Sequence, residues 1–195
     1  MKLVLASASA SRAEILRGAG VPFEVCPAGM DEDAVKHEMC WAEGSAIAGK
    51  LAKLKALHIS TRYPQDLVLG ADQVLVLENE LFSKAATLGD AALQLRLLRG
   101  KAHQLVGAAA LAHDGKLVWR HTDVATLWMR EFGEEFLKAY LIAEGNTLLG
   151  SVGCYRLESS GAQLFDRVEG DYFSILGLPL LPLLAALRDH GVLER

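Results

Sequence analysis

One carboxylate set inside an apolar run is the most chemically pointed feature of this sequence. Leu67, Val68, Leu69, Val74, Leu75, Val76 and Leu77 read as a buried strand, and Asp72 stands in its middle. An ionised carboxylate there is costly unless it is hydrogen-bonded, paired or bound to a cation. Asp72 therefore either caps a turn or pairs with one lysine, or it works on a ligand. Gly70 leaves room for another group to approach the strand backbone closely. Cationic groups stand elsewhere in the chain, with Arg12 directly after a run of small residues and Lys50, Lys55 and Lys84 further on. Asp31, Glu32 and Asp33 form an acidic cluster, either a solvated loop or a metal-facing set. The second reading follows from Mg²⁺ or Mn²⁺ at phosphate sites being held by one or two carboxylates plus substrate oxygens.

Each of these groups must be positioned by an element. Leu3 to Leu5 read as a short strand, Ala6 to Ser11 as a loop, and the residues through Arg17 as a helix closed by Gly18 and Gly20. Ser11 and Glu14 have capping-box spacing, so the helix is expected to begin near Ser11, with Ile15, Leu16 and Ala19 as its apolar face. Such a loop offers N–H groups and the hydroxyls of Ser7, Ser9 and Ser11 to an anion at a helix N-terminus. A cation in the first turn, Arg12, opposes the helix dipole, which suits either a bound anion or a solvent-facing side chain. Neither a Walker A loop nor a GxGxxG fingerprint is present.

Pro22 to Pro27 read as a second strand. From Glu43 to His58 the periodicity is helical, with Ile47, Leu51, Leu54 and His58 on one face. Lys53 then points away, while Lys50 and Lys55 lie on the flanks, where a lysine either reaches a neighbouring site or snorkels over the core edge. Glu78 to Glu80 read as a turn, and Thr87 with Asp90 starts a helix to Arg99 with Leu93 and Leu97 inward. Gln104 to Ala112 and Leu117 to Arg120 read as strands joined at Asp114-Gly115, with His103 and His113 as polar flanks. Val124 to Met129 form a further strand, Gly133 to Ala143 a helix, and Leu178 to Leu187 a final helix entered through Pro179. Strands alternating with helices, without a linker or repeat, predict one α/β domain over residues 1–195, a mixed sheet flanked by helices.

Composition narrows the classes. With 195 residues, 51% hydrophobic and 23% charged, the chain is an ordinary globular one rather than a disordered one. A net charge of −4, 7% aromatics and no Lys/Arg cluster speak against a nucleic-acid-binding module. Cys26, Cys40 and Cys154 have neither CxxC nor zinc spacing, which fits a reducing compartment. No secretory h-region or membrane span is read, so a cytoplasmic location and no membrane partner are expected.

Several ordered motifs resemble a known family. LASASASR at Leu5 to Arg12, Asp31-Glu32, LAKLKA at Leu51 to Ala56, GADQV at Gly70 to Val74, Lys84, SVGCYRLE at Ser151 to Glu158 and EGDYFSILGLPL at Glu169 to Leu180 stand in the order of the Maf-like family. These are septum-formation-inhibitor-like nucleoside triphosphate pyrophosphatases, and the likeness covers nearly the whole chain. The resemblance implies a fold similar to that of inosine-triphosphate pyrophosphatases, two lobes around a cleft, a homodimer, and hydrolysis of a nucleoside triphosphate to monophosphate and pyrophosphate with Mg²⁺ or Mn²⁺. It puts Asp72 at the catalytic aspartate, Arg12 in the phosphate loop with the serines, Lys55 and Lys84 at two site lysines, and Glu32 at the glutamate after the second strand; Asp72, with Glu32, is then expected to hold the metal.

The chain departs from the pattern in two places. The phosphate loop of many members reads SPRR or SPWR, against Ser9-Ala10-Ser11-Arg12 here, and the glycine-lysine-proline triplet is Ser83-Lys84-Ala85. Gln73 and Glu158, at positions tied to base preference, resemble the subgroup acting on 7-methyl-GTP rather than the dTTP/UTP subgroup, whereas Ser11 replaces that subgroup's tryptophan. The altered loop also leaves open a catalytically weak protein acting as a regulatory or cell-division partner.

Overall fold

The structure, a computed structural model, describes residues 1–39 and 42–194; Cys40 lies outside the described residues. Among the described residues, seven strands form one mixed sheet in the order β2-β1-β3-β5-β6-β7, with β4 on β3. The strands are β1 (Leu3–Leu5), β2 (Phe23–Val25), β3 (Leu67–Leu77), β4 (Glu80–Phe82), β5 (Ala102–His113), β6 (Lys116–Met129) and β7 (Phe165–Glu169). β1 runs parallel to both β2 and β3, while β4 pairs antiparallel with β3 and β7 antiparallel with β6. The helices are α1 (Ala10–Gly18), α2 (Glu32–Glu38), α3 (Gly44–Ser60), α4 (Leu88–Leu98), α5 (Glu134–Glu144), α6 (Tyr172–Ile175) and α7 (Leu180–Asp189). Among the described residues, no helix is long and apolar enough to cross a membrane.

The chain forms two compact units. The first comprises Met1–Gln73, Val106–Asp123 and Asp171–Arg195; the second comprises Val74–Leu105 and Val124–Gly170. In the first unit, Leu3, Leu5, Leu67, Leu69 and Leu111 of the sheet pack with Leu16 of α1 and with Leu183 and Leu187 of α7. Val4, Ala6, Val68 and Ile59 of α3 make a separate cluster. Apolar side chains on alternate residues of β1 and β3 thus enter different clusters, as strand pleating requires. In the second unit Leu95 and Leu98 of α4, Leu137 and Tyr140 of α5, Leu127 of β6 and Leu164 are all buried.

Several expectations change on inspection. The helix α1 begins at Ala10, near Ser11 as expected, but its cap is Ser9, whose side chain accepts the Arg12 backbone N–H, rather than the Ser11 of the capping-box spacing. Both serines are chemically fit to cap; only Ser9 precedes the helical backbone. Asp31 caps α2, so the acidic cluster belongs to a short helix rather than to a loop. The buried stripe of α3 is Ile47, Ala48, Leu51, Ala52, Lys55, Ala56, Ile59 and Ser60, whereas His58 is exposed. Small alanines let the helix turn this face to the sheet, and Lys55 lies within the stripe, not on its flank. The capping box of Thr87 and Asp90 is present in α4, yet Leu93 and Leu97 are exposed while Ala91, Ala92, Leu95 and Leu98 are buried. Residues 116–129 form one continuous strand, and His103 is 2% exposed rather than a polar flank.

Candidate active site

β3 and α3 build the centre of the site. A Cβ at Gly70 would run into the Ala52 carbonyl and the Ala56 amide, so the glycine lets α3 lie directly on the strand. One helical turn of close contact brings Lys55 opposite Asp72, with Nζ 2.7 Å from Asp72 Oδ1. The same ammonium is 2.8 Å from Glu32 Oε1, supplied by the first residue of α2. Lys55 is 5% and Asp72 4% exposed, and Asp72 Oδ2 has no hydrogen-bond partner among the described residues. Buried ion pairs carry a desolvation cost, and an orphaned carboxylate oxygen adds to it, so this cluster is a poor device for stability and a good candidate for function.

Arg12 is the second buried cation. Its Nε donates to the Gly177 carbonyl at 3.0 Å and its Nη1 to Ser7 Oγ at 3.0 Å. Gly177 has φ +112°, a conformation that glycine adopts at little cost, and it turns the chain after α6 toward the arginine stem. Ser7 Oγ also accepts the Ser9 N–H, so Ser7 and Ser9 are both engaged in shaping the loop, while Ser11 is half-buried within α1. Burial lowers the affinity of the Arg12 guanidinium for its proton, an effect opposed by the charges of Asp72 and Glu32. Burial alone would raise the Glu32 carboxyl; its hydrogen bond and charge interaction with Lys55, helped by Lys36 and Arg12, outweigh that and hold it below the ordinary value.

Gln73 follows Asp72 and is fixed through its amide. Nε2 donates to the carbonyls of Ser174, at 2.8 Å, and Ile175, at 3.2 Å, which consumes both N–H bonds of the NH₂ group. Asp171 accepts the Ser174 N–H and Asp123 accepts its hydroxyl, at 2.8 Å each, holding the short helix that receives the glutamine. Asp123, Asp171 and Ser174 carry no local signal of their role in the sequence; Asp171, Ser174 and Gly177 lie in the stretch Glu169 to Leu180, which carries part of the family likeness.

The first unit therefore brings together Ser7, Ser9, Arg12, Glu32, Lys55, Asp72 and Gln73. Lys84 and Glu158 belong to the second unit. Lys84 is exposed on the segment between β4 and α4, and Glu158 Oε1 is 3.0 Å from Arg156 Nε. Among the described residues no trio of His, Cys, Asp or Glu side chains is arranged to hold a metal ion. Two carboxylates meeting at one ammonium nevertheless fit a hard cation, because such ions take one or two protein carboxylates and complete their shell with substrate oxygens and water.

These features define an α/β protein with a buried carboxylate, lysine and arginine site suited to an anionic, phosphate-bearing ligand. A family model described as Maf-like protein matches residues 2–190. The chain belongs to the Maf-like protein family. It is 54% identical to a nucleoside triphosphate pyrophosphatase of Granulibacter bethesdensis, over 99% of each chain. It is 48% identical to one of Paramagnetospirillum magneticum, over 97% of this chain and 99% of that one. A 7-methyl-GTP pyrophosphatase of Rhizobium etli is 45% identical over 99% of this chain and 98% of its own. Among solved structures, a HAM1 protein from Coxiella burnetii overlaps 66% of this chain and 73% of its own, at TM-score 0.44 and 17% identity.

Proposed function

We propose that this chain is a cytoplasmic nucleoside triphosphate pyrophosphatase, cleaving its substrate between the α- and β-phosphates to give a nucleoside monophosphate and pyrophosphate. The observation that carries the reading is the convergence of Asp72 and Glu32 on Lys55 with Asp72 Oδ2 left open. Relatives at 45–54% identity over nearly the full length, named as pyrophosphatases of nucleoside triphosphates, support it.

Attack on the α-phosphorus needs an activated water, neutralised phosphate charge and a stabilised leaving group. Asp72 Oδ2 is assigned to accept a hydrogen bond from the attacking water and to take its proton. Arg12 and Lys55 are assigned to phosphate oxygens; the Gly177 and Ser7 contacts fix the arginine so that little freedom is lost when phosphate binds. Asp72 and Glu32 are the residues to hold Mg²⁺ or Mn²⁺. Such an ion, when bound, supplies charge neutralisation and a more acidic water. Lys84 and Glu158 are proposed as further substrate contacts on their place in the family's motifs. A homodimer belongs to the same reading.

A 7-methyl-GTP-like substrate is favoured over a pyrimidine one by a specific feature. With both amide N–H bonds of Gln73 spent on backbone carbonyls, its free atom is the acceptor Oε1, and Glu158 is likewise an acceptor. Each, on its own unit, is an acceptor of the kind that an N–H donor of a guanine edge needs, and a missing hydrogen bond of that sort discriminates strongly.

The test is pyrophosphate release from 7-methyl-GTP, GTP, dTTP and UTP with Mg²⁺ and with Mn²⁺, for the natural protein and Asp72→Asn. We expect turnover by the natural protein and a loss of about a thousandfold or more in the variant, as for removal of a group acting on the reacting atoms. Turnover retained in Asp72→Asn removes the aspartate from the mechanism. No turnover on any substrate leaves the regulatory-partner reading in its place.

A further inference from the structure

Lys84 is followed by Ala85 where the family pattern has a proline, so the ring that would restrict the backbone at Lys84 and just after it is absent. Yet both of its neighbours are tied down within the second unit. Gln94, from the middle of α4, donates from Nε2 to the Ser83 carbonyl at 2.7 Å. On the other side the Ala85 backbone N–H faces the Cys154 sulfur, and Ala85 is 7% exposed. The two ties are joined to each other, because the Cys154 thiol donates to Gln94 Oε1 at 2.9 Å.

The sulfur is itself rigidly placed. Cys154 is fully buried and has φ +56°, an unusual conformation for a residue with a side chain. Its N–H bonds the Ser151 carbonyl and its carbonyl accepts from Tyr140 Oη, so the backbone is fixed on both sides of the strained residue. Burial pushes the thiol up to about 11, so it stays protonated at neutral pH and keeps its hydrogen to donate to Gln94. A buried, protonated cysteine with no accessible surface has no use as a nucleophile.

We propose that Gln94 and Cys154 are positioning residues for Lys84, clamping the backbone on either side of it and thereby replacing the turn that glycine and proline give in the family pattern. The clamp holds the start of the Lys84 side chain in one place. The ammonium then meets a phosphate oxygen without first losing backbone freedom, which lowers KM rather than raising kcat. This inference rests on Lys84 contacting substrate.

The experiment is a double-mutant cycle on the triphosphate that the natural protein hydrolyses best. Gln94→Met keeps the length of the side chain and removes both of its hydrogen bonds; Lys84→Met removes the charge. Gln94→Met is expected to raise KM about three- to tenfold with kcat changed less than about twofold, and to have no further effect in the Lys84→Met background. Cys154→Ala, which unties Ala85 by a different route, is expected to behave alike, and it stands in if Gln94→Met does not fold. An unchanged KM in both Gln94→Met and Cys154→Ala, with a raised one in Lys84→Met, overturns the clamp and leaves the lysine's role intact. An equal rise in both backgrounds also overturns it, since Gln94 then acts through the fold at large. If Lys84→Met leaves KM unchanged, or the natural protein turns nothing over, the reading of Lys84 falls and the clamp with it.

Discussion

Lys55→Met isolates the electrostatics of the site. The ammonium is the shared partner of Asp72 Oδ1 at 2.7 Å and Glu32 Oε1 at 2.8 Å, and it is 5% exposed. Methionine fills the same volume without the charge. Asp72, 4% exposed and with Oδ2 already unpartnered, then loses the bond to its other oxygen, whereas Glu32, with a side chain 41% exposed, can turn to water. Breaking a buried pair from one side costs about 3–5 kcal/mol. For a chain of this length that is a fall in Tm of about 6–20 °C. Asp72→Asn is milder, at about 1–2 kcal/mol, because the lysine keeps Glu32 and the amide oxygen still accepts a hydrogen bond.

The double variant Lys55→Met/Asp72→Asn should be more stable than Lys55→Met alone, since it removes the stranded charge. Urea unfolding and thermal melts of the four proteins at pH 7.5, with no divalent cation, measure these differences. The reasoning is refuted if Lys55→Met is no less stable than Asp72→Asn, or if the double variant loses the sum of the two.

The remaining expectations concern the scaffold. His103 bonds Tyr155 Oη at 2.7 Å, and burial pushes its imidazolium down to about 4 from the ordinary value of 6.5. The unfolded chain therefore binds an extra proton between those values, so stability is intact above pH 6.5 and is lost as pH falls toward 4, by about 3 kcal/mol in all. Denaturant midpoints from pH 7 to pH 4.5 should fall less steeply in His103→Gln than in the natural protein, and equal slopes would assign the acid sensitivity elsewhere. Gly70→Ala should force α3 away from β3 at a cost of about 2 kcal/mol or more and abolish turnover by parting Lys55 from Asp72; a fully active, equally stable variant would show that the close approach is not what aligns them.

What the sequence made legible is set by how local each signal is. Asp72 could be singled out because the cost of a charge in an apolar run is a property of a few neighbouring residues. Gly70 likewise announced a close approach, but not that α3 would be the element making it. The periodicity of the large residues puts Lys55 on the edge of its helix. The alanines Ala48, Ala52 and Ala56, which weigh little in such a pattern, define the face that packs. Leu93 and Leu97 failed for the complementary reason: large apolar side chains pulled the inferred face of α4 toward themselves, while Ala91 and Ala92 are the residues turned inward. Partners distant in sequence, such as Gly177 for Arg12 or Tyr155 for His103, leave no mark on the local pattern at all.

The charges of the site also constrain how a substrate arrives. Arg12 and Lys55 carry two positive charges, Asp72 and Glu32 two negative ones, so the buried cluster is close to neutral as it stands. A triphosphate brings about four negative charges near neutral pH, and a neutral cluster in a medium of low dielectric offers no net attraction for it. An anion trap would have dispensed with the carboxylates. Their presence beside the lysine makes sense if the ligand comes as the salt of a divalent cation, with fewer charges to neutralise and a use for two carboxylate oxygens. Binding of a non-hydrolysable triphosphate analogue by the natural protein should therefore be weak without the cation and sensitive to chelator. Calorimetric titration with and without Mg²⁺ would measure it, and tight metal-free binding by the natural protein would contradict the charge balance.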